Sequence, residues 1–169
     1  MFKYALRVRQ QAEDRAELAG FFSRADVLVP VPSSTPSARG SWPAAHLASA
    51  LLQAGIGHSS WTGLHRVCAV PKSATAAPGK RPSVTRHYES FHVEPPFDDI
   101  ANVLLIDDVV TKGRTLLAAA ARVREAIPGV HVRAFALLRT LGLAPYIENL
   151  LDPCRGEIRW RSGDAQRIP

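Results

Sequence analysis

The stretch 102–116, with the sequence NVLLIDDVVTKGRTL, constrains the fold of this chain more than any other. Its aliphatic residues 103–106 have the length and β-branched content of a strand buried on both faces, and two adjacent carboxylates, Asp107 and Asp108, end the hydrophobic run. A polar loop then leads into an alanine-rich segment whose apolar residues recur at helical spacing. The pattern therefore predicts a strand, a polar loop and the first turn of a helix.

The predicted loop has the chemistry of an anion site. In a parallel α/β sheet ligands collect at the carboxyl ends of strands, and the unpaired N–H groups at a helix start receive phosphate. Thr111 and Thr115 add hydroxyl donors, and Gly113 lets the backbone approach a ligand closely. Asp107 and Asp108 would repel a phosphate, so they need sugar hydroxyls, a metal or a developing positive charge as partner. The alternative is an ordinary strand end with a solvated acidic turn.

Residues 104–115 resemble the signature of the type I phosphoribosyltransferases, which bind phosphoribosyl pyrophosphate (PRPP). In that family aliphatic residues, two acidic ones, two further residues, a Thr/Ser pair, a glycine, any residue and Thr or Ser follow in this order. The resemblance implies that Asp107 and Asp108 are catalytic and hold the ribose hydroxyls, while the loop binds the 5′-phosphate. The loop residues are Val110, Thr111, Lys112, Gly113, Arg114 and Thr115. Lys112 departs from the family, which usually has Thr, Ser or Gly there.

A second hydroxyl-rich loop follows a second predicted strand at 26–32. The candidate ligand residues there are Ser33, Ser34, Thr35 and, further on, Arg39. Together with a predicted helix at Pro43–Gln53, this region resembles the ComF-like branch of the phosphoribosyltransferases, which implies that its loop receives pyrophosphate. A plain surface turn is the alternative, because these residue types favour turns.

A stretch rich in proline and cations, residues 71–83, lies between the two loops. Its composition predicts an exposed, flexible loop. The resemblance implies that this loop closes over the reaction centre and brings basic residues to the pyrophosphate, and a surface insertion without function is the alternative. The basic residues are Lys72, Lys80 and Arg81.

Helix and strand patterns alternate along the chain, which predicts a mostly parallel sheet with helices on its faces. We expect one α/β domain over residues 1–169 with a Rossmann-like core, and the resemblance adds the phosphoribosyltransferase type and a small variable hood built from the chain ends. Further predicted elements are a helix at 11–22, a short strand within 61–67, a strand or hairpin arm at 84–93, a helix at 114–127 and a strand at 130–138. We interpret His87, Tyr88 and Glu89 as exposed polar residues of the predicted 84–93 strand.

Composition narrows the class of partner. The chain of 169 residues carries a formal charge of +6, which favours phosphorylated metabolites or nucleic acid. Cys68 and Cys154 lie far apart, so neither a CxxC zinc site nor a disulfide framework is indicated. Neither a membrane-spanning run of roughly 18 apolar residues nor a signal-peptide hydrophobic region is present, so we expect a cytoplasmic protein without a membrane partner.

The resemblance implies a function for these residues. The protein would bind PRPP with Mg²⁺ and transfer the 5-phosphoribosyl group to a small nitrogen acceptor with release of pyrophosphate. Mg²⁺ would arrive with PRPP, coordinated chiefly by ligand oxygens and water, so no metal site built from protein ligands is proposed.

The alternative function is a non-catalytic, ComF-like protein that binds PRPP or a nucleotide and takes part in regulation or DNA uptake. Trp160 between Arg159 and Arg161 would then stack on nucleic-acid bases, or it covers the core. The sequence does not determine the acceptor, whether catalysis occurs, whether DNA binds, or the oligomeric state, for which a homodimer is one option.

Overall fold

The structure is a computed structural model that describes residues 1–36, 42–71, 81–94, 99–140 and 152–168. In chain order the elements are α1 (Phe2–Asp14), a 3₁₀ turn (Ala16–Leu18), β1 (Val27–Pro30), α2 (Pro43–Gln53), β2 (Ser59–Ser60), β3 (Leu64–Arg66), α3 (Val84–Ser90), β4 (Phe91–Val93), β5 (Asn102–Val110), α4 (Arg114–Ala126), β6 (His131–Arg139), β7 (Glu157–Arg161) and β8 (Asp164–Ile168). Within the described residues, no helix has the length and apolar character needed to span a bilayer.

A parallel sheet of four strands, in the order β2, β1, β5, β6, forms the centre of the molecule. From β1 the chain passes through α2 to β2 on one side, whereas from β5 it passes through α4 to β6 on the other. The strand order therefore reverses between β1 and β5, where Pro30 lies opposite Ile106. In open α/β sheets, ligands bind outside the carboxyl ends of the strands at such a switch point.

Helices cover both faces of this sheet, because successive strand residues point to opposite sides. Leu28 and Leu104 pack with α1 and α2 on one face. Their neighbours Val29 and Val103 pack with α3 and α4 on the other face. The aliphatic run 103–106 is consequently buried on both sides. The predicted class, α/β with a parallel sheet flanked by helices and a Rossmann-like arrangement, is confirmed.

Several predicted elements are close to the observed ones. Helix α2 has the predicted bounds Pro43–Gln53, and β1, α4 and β6 occupy the predicted regions with small shifts at their ends. The strand predicted within 61–67 is β3, which pairs with β4 in a separate antiparallel sheet. The C-terminal strands β7 and β8 form an antiparallel hairpin that packs on α4.

The helix predicted at 11–22 was wrong in position. Helix α1 begins at Phe2 and ends at Asp14, and Arg15 has the extended angles φ −113° and ψ 117°. Only Ala5 of this helix is fully buried, so its inward side is narrow and consists of small or half-buried residues. A helix of this kind lacks the broad apolar stripe on which the periodicity argument depends.

The strand predicted at 84–93 was wrong over its first part. Val84–Ser90 form α3, and only Phe91–Val93 continue as strand β4. The Ser83 hydroxyl accepts a hydrogen bond from the Arg86 N–H and thereby caps the helix. This N-cap stabilises a helix start that the β-branched Val84 and the following threonine do not favour by themselves.

Candidate functional site

The carboxyl end of β5 and the start of α4 enclose a pocket of about 430 Å³, its open mouth included. The lining residues are Arg81, Asp107, Val109, Val110, Thr111, Lys112, Gly113, Arg114, Thr115 and Leu116. The structure therefore brings together Asp107, every residue predicted for the phosphate loop, and one cation of the basic stretch. The pocket lies at the carboxyl end of β5, one of the two strands between which the strand order reverses.

The loop ends at Gly113, which is the N-cap of α4. Gly113 has φ +86°, in the left-handed region that favours glycine, and its carbonyl accepts the Leu117 N–H as the first hydrogen bond of the helix. The N–H groups of the first turn of α4 have no partner within the helix, and they carry the positive end of its dipole. Because Arg114, Thr115 and Leu116 line the pocket, this helix start is placed to receive an anion.

Asp164, on the C-terminal hairpin, pairs with both cations of the loop, Arg114 and Lys112. Arg114 donates to Asp164 from Nε at 2.5 Å and from Nη2 at 2.6 Å, and Lys112 Nζ lies 3.2 Å from the same side chain. Hydrogen bonding from Arg114 keeps the pKa of Asp164 well below its ordinary range. Asp164 could not be found from the sequence pattern, because its partners lie about 50 residues earlier in the chain.

Asp107 and Asp108 have different surroundings. Asp107 Oδ1 accepts the Asp108 N–H at 2.9 Å, and Asp108 Oδ1 accepts the Val109 N–H at 3.0 Å. Burial, reinforced by the Asp108 carboxyl, raises the pKa of Asp107 to about 8. Asp107 is therefore largely protonated at neutral pH in the absence of a ligand, and a sugar hydroxyl or a cation would satisfy it.

The first loop follows β1 at the same edge of the sheet, since the Val31 N–H donates to the Ile106 carbonyl at 2.8 Å. Ser33 and Ser34 are half-buried and Thr35 is exposed. The Ser33 hydroxyl donates to the Thr35 carbonyl at 2.8 Å and so closes a local turn. The remaining candidates for pyrophosphate, Arg39, Lys72 and Lys80, lie outside the described residues.

Behind the pocket, Arg66, His87 and Ser90 form a buried polar cluster that contacts the half-buried Thr115. Arg66 is 6% exposed and His87 is 2% exposed. Arg66 Nε donates to the Ser33 carbonyl at 2.7 Å, Nη1 donates to the Ser90 hydroxyl, and Nη2 lies 3.2 Å from His87 Nδ1. The other ring nitrogen, His87 Nε2, lies 3.4 Å from Thr115 Oγ1. The cluster thus connects the first loop to the predicted phosphate loop, residues 110–115.

The interpretation of His87 as an exposed strand residue was wrong, because α3 directs it into the core. Burial lowers the pKa of His87 to about 4, and the charges of Arg66 and Arg114 reinforce this effect. Burial also lowers the pKa of Arg66, to about 10. One feature of the sequence indicates that Arg66 is buried. It lies two residues after the apolar, buried Leu64, and residues two apart on a strand share a face.

The fold and the pocket define an α/β protein with a pocket of hydroxyl, cationic and carboxyl groups at the carboxyl end of β5 in a parallel sheet. The chain matches no protein-family model and no curated protein. Within the ranges that the structure describes, no group of three or more His, Cys, Asp or Glu side chains could hold a metal ion. Asp107 lines the pocket, whereas the adjacent Asp108 is not among its lining residues. The two carboxyl groups are oxygen donors that fit a cation arriving with its own ligands.

Proposed function

We propose that this chain is a type I phosphoribosyltransferase-like protein that binds PRPP with Mg²⁺ and transfers the 5-phosphoribosyl group to a nitrogen acceptor with release of pyrophosphate. One observation carries the proposal: Asp107 and the loop residues Val110 to Thr115 line a single pocket at the start of α4. The hydroxyls, cations and helix N–H groups of this pocket suit a phosphate, whereas the carboxyl group of the pocket suits sugar hydroxyls. A sugar phosphate satisfies both requirements.

Each part of PRPP has candidate partners. Thr111, Thr115 and the first turn of α4 bind the 5′-phosphate. Asp107 and Asp108 bind the ribose hydroxyls and stabilise the positive charge that develops on the ring as the bond from C1 to the pyrophosphate oxygen breaks. The acceptor nitrogen forms the new bond to C1 and loses a proton. Arg81, which lines the pocket, is the candidate for contact with the leaving group.

The magnesium ion of this proposal would neutralise charge on the departing pyrophosphate. Its ligands are expected to be PRPP oxygens and water, with Asp107 as the protein carboxylate that lines the pocket and Asp108 next to it in the chain. The raised pKa of Asp107 agrees with this role, because a nearby cation offsets the cost of ionising a buried carboxyl. The residues of the first loop, Ser33 to Thr35, remain candidates for the pyrophosphate side.

A second candidate function is non-catalytic binding of PRPP or a nucleotide together with single-stranded nucleic acid. The observation in its favour is Trp160, which lies on β7 with 55% of its surface exposed. Its neighbours Arg159 and Arg161 point to the opposite face of the strand, and Arg159 forms an ion pair with Glu157. The aromatic ring is therefore available for base stacking, while part of the nearby charge is already neutralised.

Calorimetry with PRPP, with and without Mg²⁺, tests the first candidate. We expect Mg²⁺-dependent binding to the wild type and at least about a tenfold loss of affinity in the double variant Asp107→Asn/Asp108→Asn, because the hydroxyl contacts made by charged acceptors are lost. Asp14→Asn is the matched control, since it removes an exposed carboxylate at the end of α1. Wild-type protein that produces no heat with millimolar PRPP would exclude the proposal.

Titration of a fluorescent oligothymidine tests the second candidate. Binding that weakens steeply with salt and is lost in Trp160→Ala would support it. Binding of PRPP without any binding of the oligonucleotide would exclude the second candidate. A screen of purines, pyrimidines and amines for pyrophosphate release would then test whether the protein is a transferase and which acceptor it uses.

A further inference from the structure

Thr115 connects the predicted phosphate loop to the interior of the protein. It is the second residue of α4 and lines the pocket, and its Oγ1 lies 3.4 Å from His87 Nε2. A hydroxyl group donates one hydrogen bond and accepts others, so its orientation depends on what its buried neighbour offers. The hydrogen-bonding state of His87 therefore decides which role the Thr115 hydroxyl takes toward the pocket.

The contact with Arg66 determines the tautomer of His87. A guanidinium group only donates hydrogen bonds, and Arg66 Nη2 lies 3.2 Å from His87 Nδ1. Nδ1 must then be the unprotonated nitrogen, so the single proton of the neutral ring is on Nε2. The pKa of His87, lowered to about 4, agrees with a neutral ring at physiological pH.

The position of Arg66 is itself fixed from three sides. Its Nε donates to the Ser33 carbonyl and its Nη1 to the Ser90 hydroxyl, which in turn donates to the His87 carbonyl at 2.6 Å. The guanidinium also lies over the ring of Phe91, 4.1 Å from its centroid. Because these contacts leave Arg66 little freedom, Nη2 is held against His87 Nδ1.

We propose that His87 is a positioning residue, which donates from Nε2 to Thr115 Oγ1 and so directs the Thr115 proton to a phosphate in the pocket. This inference rests on the proposed function, because it concerns the same phosphate loop. A Thr115 hydroxyl that accepts from the interior donates its own proton elsewhere, and donors are what a phosphate needs. His87 acts through Thr115 and does not touch the ligand.

Two amide substitutions test the roles of the two ring nitrogens of His87 separately. In His87→Asn the amide oxygen can replace Nδ1 as acceptor for Arg66, but the side chain is too short to reach Thr115. In His87→Gln the amide nitrogen can reach the position of Nε2 and replace the donor. We expect His87→Asn to weaken PRPP binding about tenfold, which corresponds to one oriented hydrogen bond to a charged group, and His87→Gln to retain affinity within about threefold.

A double-mutant cycle with Thr115→Val tests whether the effect passes through Thr115. If it does, His87→Asn weakens PRPP binding in the wild type but has no further effect in Thr115→Val. Thermal unfolding of each variant shows that it is folded. The ring ¹⁵N shifts of His87 provide an independent readout, for which we expect the Nε2-protonated tautomer.

The outcomes distinguish this inference from the function on which it rests. Wild-type protein that binds neither PRPP nor inorganic phosphate overturns both. If the wild type binds PRPP, three results would each overturn the role of His87 alone. His87→Asn binds PRPP as tightly as the wild type, the losses of affinity in the cycle are additive, or the proton of His87 is on Nδ1.

Discussion

Arg114 and Asp164 form a bidentate ion pair that fastens the C-terminal hairpin to the first residue of α4. Their side chains are only 21% and 30% exposed, so water screens the pair less than a fully exposed one. Arg114 Nη1 also donates to the Pro82 carbonyl at 3.1 Å. One guanidinium therefore joins the predicted phosphate loop, the hairpin and the segment that precedes α3.

Asp164→Asn should lower the free energy of unfolding by about 1 kcal/mol at pH 7, because it removes the charge from two charge-assisted hydrogen bonds. The folded-state pKa of Asp164 is depressed, so the stabilisation is present above the unfolded pKa of about 4 and is lost as pH falls toward the folded pKa. Urea unfolding at pH 7 and pH 3 measures both effects. The difference between wild type and variant should be smaller at pH 3.

Glu13→Gln is the matched control for this prediction. It breaks the ion pair between Arg9 and Glu13 on α1, whose side chains are 47% and 62% exposed. An exposed pair four residues apart on a helix contributes at most about 0.5 kcal/mol. A loss in Asp164→Asn no larger than in Glu13→Gln would contradict a stabilising role for the Arg114–Asp164 pair.

The parts of the fold that depend on local pattern were predicted from the sequence. The run 103–106 is apolar throughout, and a strand in the middle of a parallel sheet needs this pattern. Pro43 at the start of α2 and the glycine after α4 mark helix ends by their backbone properties. Because parallel strands end at one edge, the position of the two hydroxyl-rich loops followed from the strand pattern as well.

The buried cluster behind the pocket could not be predicted in the same way. Arg66 and His87 are 21 residues apart, and Thr115 follows His87 by 28 residues. Their contacts depend on how β3, α3 and α4 pack, and local periodicity contains no information about that packing. The strand predicted at 84–93 increased the error, because in a strand His87 would share a face with Glu89, which is exposed, instead of turning into the core.

Gly113→Ala should lower the free energy of unfolding by about 2 to 3 kcal/mol. A side chain at φ +86° costs about 1 kcal/mol, and a Cβ at this position would lie 2.7 Å from Ile158 Cδ1. Gly129→Ala isolates the backbone effect, because Gly129 has φ +80° and a Cβ added there would meet nothing within 4 Å. Chemical denaturation of both variants gives the difference between them.

The steric part of this prediction has its own test. Ile158→Ala should lower the free energy of unfolding by less in the Gly113→Ala protein than in the wild type, since it removes the atoms that a Cβ on Gly113 would contact. Equal losses of unfolding free energy in Gly113→Ala and Gly129→Ala would show that the Cβ added at Gly113 makes no steric clash with Ile158.

Asp107→Asn should stabilise the ligand-free protein in a pH-dependent way. Burial raises the folded-state pKa of Asp107 to about 8, above the unfolded value of about 4. Between these values the folded state holds a proton that the unfolded state has lost, so wild-type stability falls as pH rises from 4 to 8. Asparagine has no charge to bury, so the advantage of the variant should grow over this window to a few kcal/mol and level off above pH 8.

Urea unfolding at pH 5, 7 and 9 measures this advantage, with Asp14→Asn as the control for loss of an exposed carboxylate. A constant difference between wild type and Asp107→Asn at all three pH values would contradict the raised pKa. The same substitution should weaken PRPP binding if Asp107 holds the ribose. Asp107→Asn is therefore expected to stabilise the ligand-free protein and to weaken PRPP binding. Both effects have one cause, because the carboxyl group that destabilises the empty pocket is the group that the ligand needs.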